Sequence, residues 1–246
     1  MARQLEGKVA VVTGAGRGIG KAIAEAYGEA GASVGCLART LSEIQSTAAE
    51  IEGKGGRAFA VAADVCDVDA VGTAFDQGAQ ALGGIDIVVI NAGIIATNGP
   101  VEDSDPRKWK ETLDTNLLGA YYCARAAIPY LRRRGGGKII TVGSGLGHRG
   151  RPGGSAYSSS KAGLWMLTRV LAQELAQHRI SVNELVPGPV RTSMSTGVAG
   201  PAGQAPFADT EWFKSPADVV PLALFLAAQP DFGPTAQSYS LMRRDG

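Results

Sequence analysis

The chain has 246 residues, of which 45% are hydrophobic and 19% charged, ordinary values for a globular protein whose single core buries most of its apolar surface. Its 24 basic and 23 acidic residues leave a formal net charge of +1, so nothing favours a nucleic acid or an anionic membrane as partner. Three scattered cysteines and two histidines argue against both a disulfide framework and a metal site.

Targeting signals are not apparent in the sequence. The N-terminus lacks the apolar segment of a signal peptide, and no stretch approaches the roughly 18 uninterrupted apolar residues of a membrane span. A cytoplasmic location is therefore expected.

Short apolar runs alternate with longer amphipathic segments along the chain. Strands are predicted at 8–13, 33–38, 57–62, 85–90, 138–142 and 180–186, with a further short strand at 237–241. Helices are predicted at 18–30, 41–53, 67–82, 106–132 and 155–178. Strands that are apolar throughout indicate burial on both faces, as in a parallel sheet. The prediction is one α/β domain over 1–246, a doubly wound, Rossmann-like parallel sheet of about seven strands with helices on both faces.

The least regular stretch is 193–215, which is rich in Gly, Ala and Pro. Ligands of a doubly wound sheet bind at the carboxyl ends of its strands, and this stretch follows the strand at 180–186. We therefore predict a mobile substrate flap there, with Trp212 as a candidate lid residue. A solvated connector explains the composition equally well.

A glycine-rich loop, Thr13-Gly14-Ala15-Gly16-Arg17-Gly18-Ile19-Gly20, joins the first strand to the first helix. Glycine is needed where the backbone approaches a pyrophosphate closely and where a helix packs tightly on a strand. The start of the helix offers free N–H groups and a positive dipole end to phosphates. A glycine cluster alone is often only a turn, but this position between strand and helix favours a dinucleotide site.

The end of the second strand bears on the choice of cofactor. NAD-binding folds place an acid about 20 residues after the loop, where it binds the ribose 2′-hydroxyl. This chain has Ala38-Arg39-Thr40 instead. The planar guanidinium of Arg39, helped by Arg17, suits a 2′-phosphate, so NADP(H) is predicted in preference to NAD(H). The alternative is that Arg39 is a solvated residue at the strand end.

Tyr157 and Lys161 begin a predicted helix, and their spacing of four places them on one face. A tyrosine hydroxyl with a pKa near 10 is a poor base at neutral pH. A neighbouring ammonium favours the phenolate, so Lys161 is expected to lower the pKa of Tyr157.

Two further polar residues strengthen the pair. Ser144 follows the strand at 138–142, where a hydroxyl can stabilise charge on a substrate oxygen. Asn116 lies inside the predicted helix 106–132, although Asn is a mediocre helix former. Asn116 is expected to hold a water that links Lys161 to solvent, the alternative being an ordinary surface residue.

Taken together, these residues resemble the short-chain dehydrogenase/reductase family, in its branch of chains of about this length. The resemblance covers nearly the whole chain in order. It comprises the TGxxxGxG loop at Thr13–Gly20, Asp64-Val65, Asn91-Ala92-Gly93, Asn116, Ser144, the Tyr157/Lys161 pair, and Pro187-Gly188 with Thr192.

The resemblance implies roles for these residues. Asn116, Ser144, Tyr157 and Lys161 match the family's catalytic tetrad, with Tyr157 as general acid/base and Lys161 also holding the nicotinamide ribose. Asp64 would bind the adenine amino group beside Val65, and Asn91, Ala92 and Gly93 would support the adenosine ribose and the central sheet. Pro187 and Gly188 would line the nicotinamide, and Val190 and Thr192 would bind its carboxamide. The implied cofactor contacts also include Gly14, Gly16, Arg17, Gly18, Ile19, Gly20 and Arg39.

The implied function is NADP(H)-dependent interconversion of a carbonyl and an alcohol, as in 3-oxoacyl-carrier-protein reductases and related ketone reductases. The substrate would lie among Ser144, Tyr157, the segments 145–154 and 94–98, and Met194. Alternatives are an NAD-dependent alcohol dehydrogenase of the same family and a non-catalytic NADP sensor. An isomerase or dehydratase is disfavoured, since its family branch has a TGxxGxxG loop and a larger C-terminal region.

Three further expectations concern assembly and side chains outside the tetrad. Family members are commonly homotetramers built on two long helices, here 106–132 and 155–178. Apolar stripes available in part to a partner are predicted there, as at Leu164, Leu167, Leu171 and Leu175. His148 and His178 are interpreted as ordinary surface histidines, because the tetrad leaves them no role. The C-terminus departs from the family's VDGG-like tail, which leaves its part in the substrate pocket open.

Overall fold

A computed structural model describes residues 3–196 and 211–242, and its centre is one seven-stranded, wholly parallel sheet. The strand order is β3-β2-β1-β4-β5-β6-β7. The strands are β1 (Val9–Thr13), β2 (Ser33–Ala38), β3 (Arg57–Ala62), β4 (Ile87–Ile90), β5 (Gly137–Val142), β6 (Ile180–Val186) and β7 (Ser238–Ser240). The predicted fold class and strand number are confirmed.

Helices cover both faces of this sheet. They are α1 (Gly18–Glu29), α2 (Leu41–Gly53), α3 (Val68–Leu82), α4 (Pro106–Leu113), α5 (Gly119–Arg134), α6 (Ser155–Leu175), α7 (Ser193–Thr196) and α8 (Val220–Ala227). Short 3₁₀ turns lie at Val101–Asp103, Gly145–Gly147, Ala176–His178 and Pro216–Val219. Within the described ranges, no helix is long and apolar enough to cross a bilayer.

Two apolar cores lie on opposite faces of the sheet. One packs α3, α5 and α6 against residues such as Val88 and Ile139, and the other packs α1, α2 and α8 against residues such as Val12 and Ile140. Strands buried on both sides explain why the runs are apolar throughout rather than alternating.

The predicted helix 106–132 is interrupted in the structure. A π-helical turn, Asp114–Leu118, separates α4 from α5 and contains Asn116. The extra residue in a π turn rotates side chains away from the helical register, and such turns often occur at functional sites. The turn carries Asn116 into the interior, where it is 1% exposed, so the alternative of a surface residue is wrong.

Most leucines of the predicted apolar stripe cover the sheet. Leu164, Leu171 and Leu175 are buried in the core beneath α6, and Leu167 packs partly against the same core. The apolar side chains that α6 leaves exposed are Met166 and Val170. Among the four leucines, Leu167 is therefore the one that retains exposed surface.

Sheet topology places the candidate site. The strand order reverses between β1 and β4, and these neighbours are paired from Ala10–Ile87 to Val12–Val89. Loops leaving such a pair diverge to opposite faces and open a crevice at the carboxyl ends of the strands. The glycine loop and Asn91 leave the sheet at this reversal.

Candidate active site

Thr13 and Asn91 bind the two walls of this crevice together. The Thr13 hydroxyl accepts hydrogen bonds from the backbone N–H groups of Asn91 (2.9 Å) and Ala92 (3.0 Å). The Asn91 amide in turn donates to the carbonyl oxygens of Thr13 (2.9 Å) and Gly14 (3.3 Å). Asn91 thus fixes the start of the glycine loop, in keeping with the support of the central sheet that the resemblance implies.

Two glycines of the loop are required by geometry. Gly14 has a φ of 66°, in the left-handed region that favours glycine. A Cβ on Gly20 would lie 2.2 Å from the Gly14 carbonyl oxygen, so only glycine lets α1 approach β1 this closely. Gly20 therefore acts through packing, while Gly14, Gly16 and Gly18 line a cavity.

The N-terminus of α1 faces that cavity. Its N-cap residue, Arg17, makes no side-chain capping hydrogen bond, and its first turn contains no acidic residue. The first-turn N–H groups therefore point at the loop without a side-chain acceptor, an arrangement that suits a phosphate.

The two arginines expected to bind a 2′-phosphate line the same cavity, and each faces a carboxylate. Arg39 lies 3.9 Å from Asp64, and Arg17 lies 3.7 Å from Glu43. Glu43 was missed in the sequence because it belongs to α2, yet its side chain packs on Gly16 in the loop. Both arginines line the cavity, and the two acids reduce the net positive charge around them.

Two adjoining cavities, of about 570 and 370 Å³, make up the candidate site, and each is large enough for part of a dinucleotide and substrate. The larger is lined by the loop, Ala38, Arg39, Asp64, Val65, Asn91, Ala92 and Gly93. The smaller is lined by Ser144, Tyr157, Lys161, Pro187, Gly188 and Val190. Ile19, Asn91, Gly93, Ile95, Thr192 and Met194 line both. The residues present thus fit an extended dinucleotide, and the described chain has no cluster of metal-ligating side chains.

Lys161 is buried at the floor of the smaller cavity, 4% exposed. Its Nζ donates a hydrogen bond to the carbonyl oxygen of Val142 (2.8 Å) at the end of β5. Burial lowers the pKa of Lys161 from 10.5 to about 8, against the negative charge of Glu184, which raises it. The ammonium is therefore retained at neutral pH and lost under mildly alkaline conditions.

Tyr157 lies one helical turn before Lys161, and the Lys161 Nζ is 5.8 Å from the centre of its ring. Burial raises the pKa of Tyr157, and a hydrogen bond with Ser144 opposes this rise. The expectation that Lys161 brings the pKa of Tyr157 below its usual value is therefore wrong for the protein without a bound cofactor. Desolvation of the Tyr157 hydroxyl raises its pKa by more than the neighbouring groups lower it. A tyrosine that keeps its proton is suited to donating it.

Ser144 follows β5 through Gly143, as the sequence predicts, and lines the same cavity as Tyr157. Its backbone is extended, and its hydroxyl accepts a hydrogen bond from the Leu146 N–H (3.2 Å), which starts the turn Gly145–Gly147. Ser144 therefore lies across the cavity from Tyr157, and the turn that follows it fixes its backbone.

Asn116 supports this group from the π turn. Its Oδ1 accepts from the Ile94 N–H (2.8 Å), and its Nδ2 donates to the Ile94 carbonyl oxygen and to Ser160 (both 3.0 Å). A Cβ on Gly93 would lie 3.1 Å from the Asn116 Oδ1 and 3.7 Å from the Lys161 Nζ. Asn116 and Lys161 thus flank Gly93. The water expected to link Lys161 to solvent stays a prediction; it would donate a hydrogen bond to the Asn116 Oδ1 or to the Ile94 carbonyl oxygen.

The segment after β6 forms the opposite wall. Pro187, Gly188 and Val190 line the smaller cavity, and Thr192 approaches the glycine loop, with its Cγ2 at 3.2 Å from where a Gly18 Cβ would lie. The wall that the resemblance assigns to the nicotinamide is therefore next to the phosphate loop.

The C-terminal tail completes the outer part of the cavity. Met242 lines it, and a Cβ on Gly145 would lie 2.0 Å from the Met242 sulfur. Leu146, Met194 and Phe213 add apolar surface, while Arg149 and Arg151 add basic groups. Met242 and Phe213 were not predicted, since neither lies in a motif, and the outer wall is mainly apolar.

Most of the predicted flap, residues 197–210, lies outside the described residues. Its two ends meet at a short parallel bridge between Val190 and Lys214. The Arg191 N–H donates to the Lys214 carbonyl (2.8 Å), and the Lys214 N–H donates to the Pro189 carbonyl (3.0 Å). Trp212, the candidate lid residue, is 68% exposed and does not line either cavity.

The two remaining tryptophans, Trp109 and Trp165, anchor packing. The Trp109 indole donates to Ser155 (3.2 Å) and joins α4 to the start of α6, and the Trp165 ring packs on His148 at 5.1 Å. His148 is not an ordinary surface histidine, because its Nε2 lies 2.9 Å from the carboxylate of the buried Glu184.

Comparison with known proteins agrees with this geometry. The sequence profile of the short chain dehydrogenase family matches residues 8–200. A short-chain type dehydrogenase/reductase of Picea abies is 37% identical over 238 residues, 91% of this chain and 87% of that protein. A 3-oxoacyl-[acyl-carrier-protein] reductase of Staphylococcus aureus is 34% identical over 193 residues, 78% of each chain.

A solved structure extends the similarity to the fold. The carveol dehydrogenase of Mycobacterium avium, in complex with NAD, superimposes with a TM-score of 0.88 at 26% identity and covers 97% of each chain. Because the family description spans most of the chain and the relatives match it over most of their own length, this chain belongs to the short-chain dehydrogenase family.

Proposed function

We propose that the chain is an NADP(H)-dependent oxidoreductase that interconverts a carbonyl and an alcohol, with Tyr157 as general acid/base. The observation that carries the proposal is the meeting of Ser144, Tyr157 and Lys161 in one cavity that joins the dinucleotide cavity. A protein that only senses the nucleotide would need the glycine loop but not these three groups together.

The chain's own residues divide the chemistry. When bound, the cofactor supplies or accepts the hydride at its nicotinamide ring. In reduction, Tyr157 gives its proton to the substrate oxygen, and Ser144 donates a hydrogen bond to the same oxygen as charge develops there. The Lys161 ammonium stabilises the phenolate left on Tyr157. Asn116 holds the backbone at Ile94, next to Gly93 and Lys161.

The mainly apolar outer wall favours a hydrophobic ketone or a 3-oxoacyl group, with Arg149 and Arg151 available to an anionic end. The test is a panel of ketones, aldehydes, oxoacyl thioesters and alcohols, each assayed with both nicotinamide cofactors. Turnover of carbonyls or alcohols is expected, and nucleotide binding without turnover of any of them would contradict the proposal.

NADP(H) is proposed over NAD(H) because Ala38 stands where the ribose-binding acid is expected, with Arg39 and Arg17 in the same cavity. An NAD-dependent alcohol dehydrogenase is the second candidate. It is favoured by the pairing of both arginines with carboxylates and by the NAD complex of the similar carveol dehydrogenase.

Cofactor preference can be reversed at this position. We expect kcat/KM to be higher with NADPH than with NADH, and Ala38→Asp with Arg39→Ala to invert the ratio by repelling the 2′-phosphate and removing its partner. Glu43→Gln is the matched control in the opposite direction, since loss of a nearby negative charge should raise the NADPH ratio further. A wild-type preference for NADH would establish the second candidate.

Assembly is a separate proposal. Leu118, Tyr121, Met166 and Val170 are each 42–49% exposed on the two long helices or the π turn before α5. We propose that they meet further copies of the chain in a homotetramer, because exposed apolar surface of this kind marks interfaces. Met166→Glu with Val170→Glu should lower the mass measured by light scattering, whereas Phe232→Glu, at an 83% exposed site elsewhere, should not. A monomeric wild-type mass at micromolar concentration would exclude the assembly.

A further inference from the structure

Glu184 is a buried acid for which the mechanism above has no use. It lies in the middle of β6, and its side chain has no exposed surface. In register it pairs with Thr141 of β5 and Ser238 of β7, so it is enclosed on both edges. A carboxylate is costly to bury unless hydrogen bonds or opposite charges stabilise it.

One carboxylate oxygen of Glu184 has polar partners, and the other has none among the described residues. Oε2 accepts a hydrogen bond from the Ser238 hydroxyl (2.5 Å) and lies 2.9 Å from the His148 Nε2. Oε1 has no hydrogen-bond partner among the described residues. It lies 1.8 Å from where a Cβ on Gly143 would be, directly against the backbone that leads into Ser144. The acid therefore occupies space that only a glycine before Ser144 leaves open.

Through His148 the same carboxylate reaches the wall of the substrate cavity. His148 ends the turn Gly145–Gly147, which follows Ser144, and its ring is held between Glu184 and the Trp165 ring of α6. The turn itself rests on the catalytic helix, since a Gly147 Cβ would lie 2.8 Å from the Lys161 carbonyl carbon. Holding His148 therefore holds the turn against α6.

Glu184 also acts on Lys161 by its charge. The Lys161 Nζ is hydrogen-bonded to the carbonyl oxygen of Val142, the residue before Gly143, so the two charged groups approach the same end of β5. Burial lowers the pKa of Lys161, and Glu184 is the group that opposes this effect. The titratable groups around the pair are Tyr157 from α6 and His148 from the turn.

We propose that Glu184 is a positioning residue for the catalytic set, which fixes the turn after Ser144 through His148 and places its carboxylate at the end of β5 to which Lys161 is hydrogen-bonded. The inference rests on the proposed function, because it assigns Ser144 and Lys161 their roles. It adds a residue outside the tetrad on which their geometry and charge depend.

Glu184→Gln tests the charge, since it keeps the shape of the side chain and removes its negative charge. Without that charge, Lys161 should lose its proton at lower pH. The alkaline limb of the single-turnover rate of carbonyl reduction should then move to lower pH, because Glu184 is the group that raises the pKa of Lys161. Glu174→Gln, an exposed acid on α6, is the matched control and should leave the limb in place. An unmoved limb in folded Glu184→Gln overturns the role of the charge.

His148→Ala tests the turn separately, and it also serves if Glu184→Gln does not fold. It removes the link to Glu184 but leaves the carboxylate near Lys161, so KM for the carbonyl substrate should rise severalfold while the alkaline limb stays. His178→Ala, outside the site, should change neither. An unchanged KM in His148→Ala overturns the role of the turn.

The failure of this inference and that of the proposed function are distinguishable. Tyr157→Phe is measured beside these variants on the same substrate. If Tyr157→Phe retains turnover, the tetrad itself is wrong. If Tyr157→Phe is inactive while both Glu184→Gln and His148→Ala behave as wild type, only the assignment of Glu184 is overturned.

Discussion

Turnover in Tyr157→Phe is expected to fall by about 10²–10⁴-fold, the usual range for loss of a positioned general acid. The substitution removes only the hydroxyl, and the ring stays in place against the Lys161 ammonium. Cofactor affinity should change little, since the groups proposed to hold the phosphates and adenine lie in the other cavity. Single-turnover rates and cofactor titration by fluorescence separate the two effects.

Two companion variants sharpen that experiment. Ser144→Ala should lose mainly turnover, because its hydroxyl acts on the substrate oxygen, whereas Lys161→Ala should weaken both turnover and cofactor binding. Near-normal turnover in Tyr157→Phe would contradict the assignment of the tetrad and favour a protein that binds the nucleotide without chemistry.

Lys161→Met should abolish most activity. Its free energy of unfolding at neutral pH should nevertheless be higher than loss of the Lys161–Val142 hydrogen bond alone would give. A pKa lowered from 10.5 to about 8 means that the folded chain holds the ammonium less tightly than the unfolded chain does. At 1.36 kcal/mol per pKa unit, the charged form disfavours folding by about 3 kcal/mol below pH 8. As the pH rises from 8 to 10.5, the folded chain loses this proton first, so wild-type stability gains that amount.

Urea unfolding of both proteins between pH 7 and pH 10.5 measures the effect. The free energy of unfolding of Lys161→Met minus that of the wild type should decrease by about 3 kcal/mol over this range, because only the wild type has the titrating lysine. Cys36 and Cys123, whose pKa values burial raises to about 12, titrate in both proteins and cancel in the difference. A difference that stays constant with pH would show that Lys161 is not held in a costly charged state.

The strands and most helices follow from the sequence because their signals are local. Mainly apolar runs, such as 8–13 and 33–38, coincide with β1 and β2 to within one residue, since burial on both faces leaves little choice of residue. The π turn at Asp114–Leu118 has no comparable signal, because one extra residue in a helix leaves its periodicity nearly intact. The structure alone shows how Asn116 turns inward.

Helix α8 was missed for a different reason. Its run Val220–Ala227 is apolar all round, so it shows no amphipathic period. A usable signal stood just before it: Ser215 and Asp218 form a capping box around Pro216 in the first turn of the preceding 3₁₀ helix. Capping chemistry would have located the start of this helix where periodicity gave no indication.

The candidate site was predicted where it depends on motifs and missed where it depends on distant contacts. Tyr157 and Lys161 share one helix, so their spacing fixes their geometry. Glu43, Glu184 and Met242 reach the site from other elements, and their partners lie far away in sequence. Contacts of that kind depend on how the sheet and its helices pack, and the spacing of residues within one segment carries no information about that packing.

The bridge between Val190 and Lys214 has a consequence for how this enzyme can change over evolution or in the laboratory. The segment between the two residues leaves and re-enters the fold at one point, where backbone hydrogen bonds join its ends. Met194 and Phe213, which line the substrate cavity on either side of this bridge, can therefore be substituted without moving Tyr157 or the glycine loop, which makes them the natural positions at which to engineer a new substrate preference.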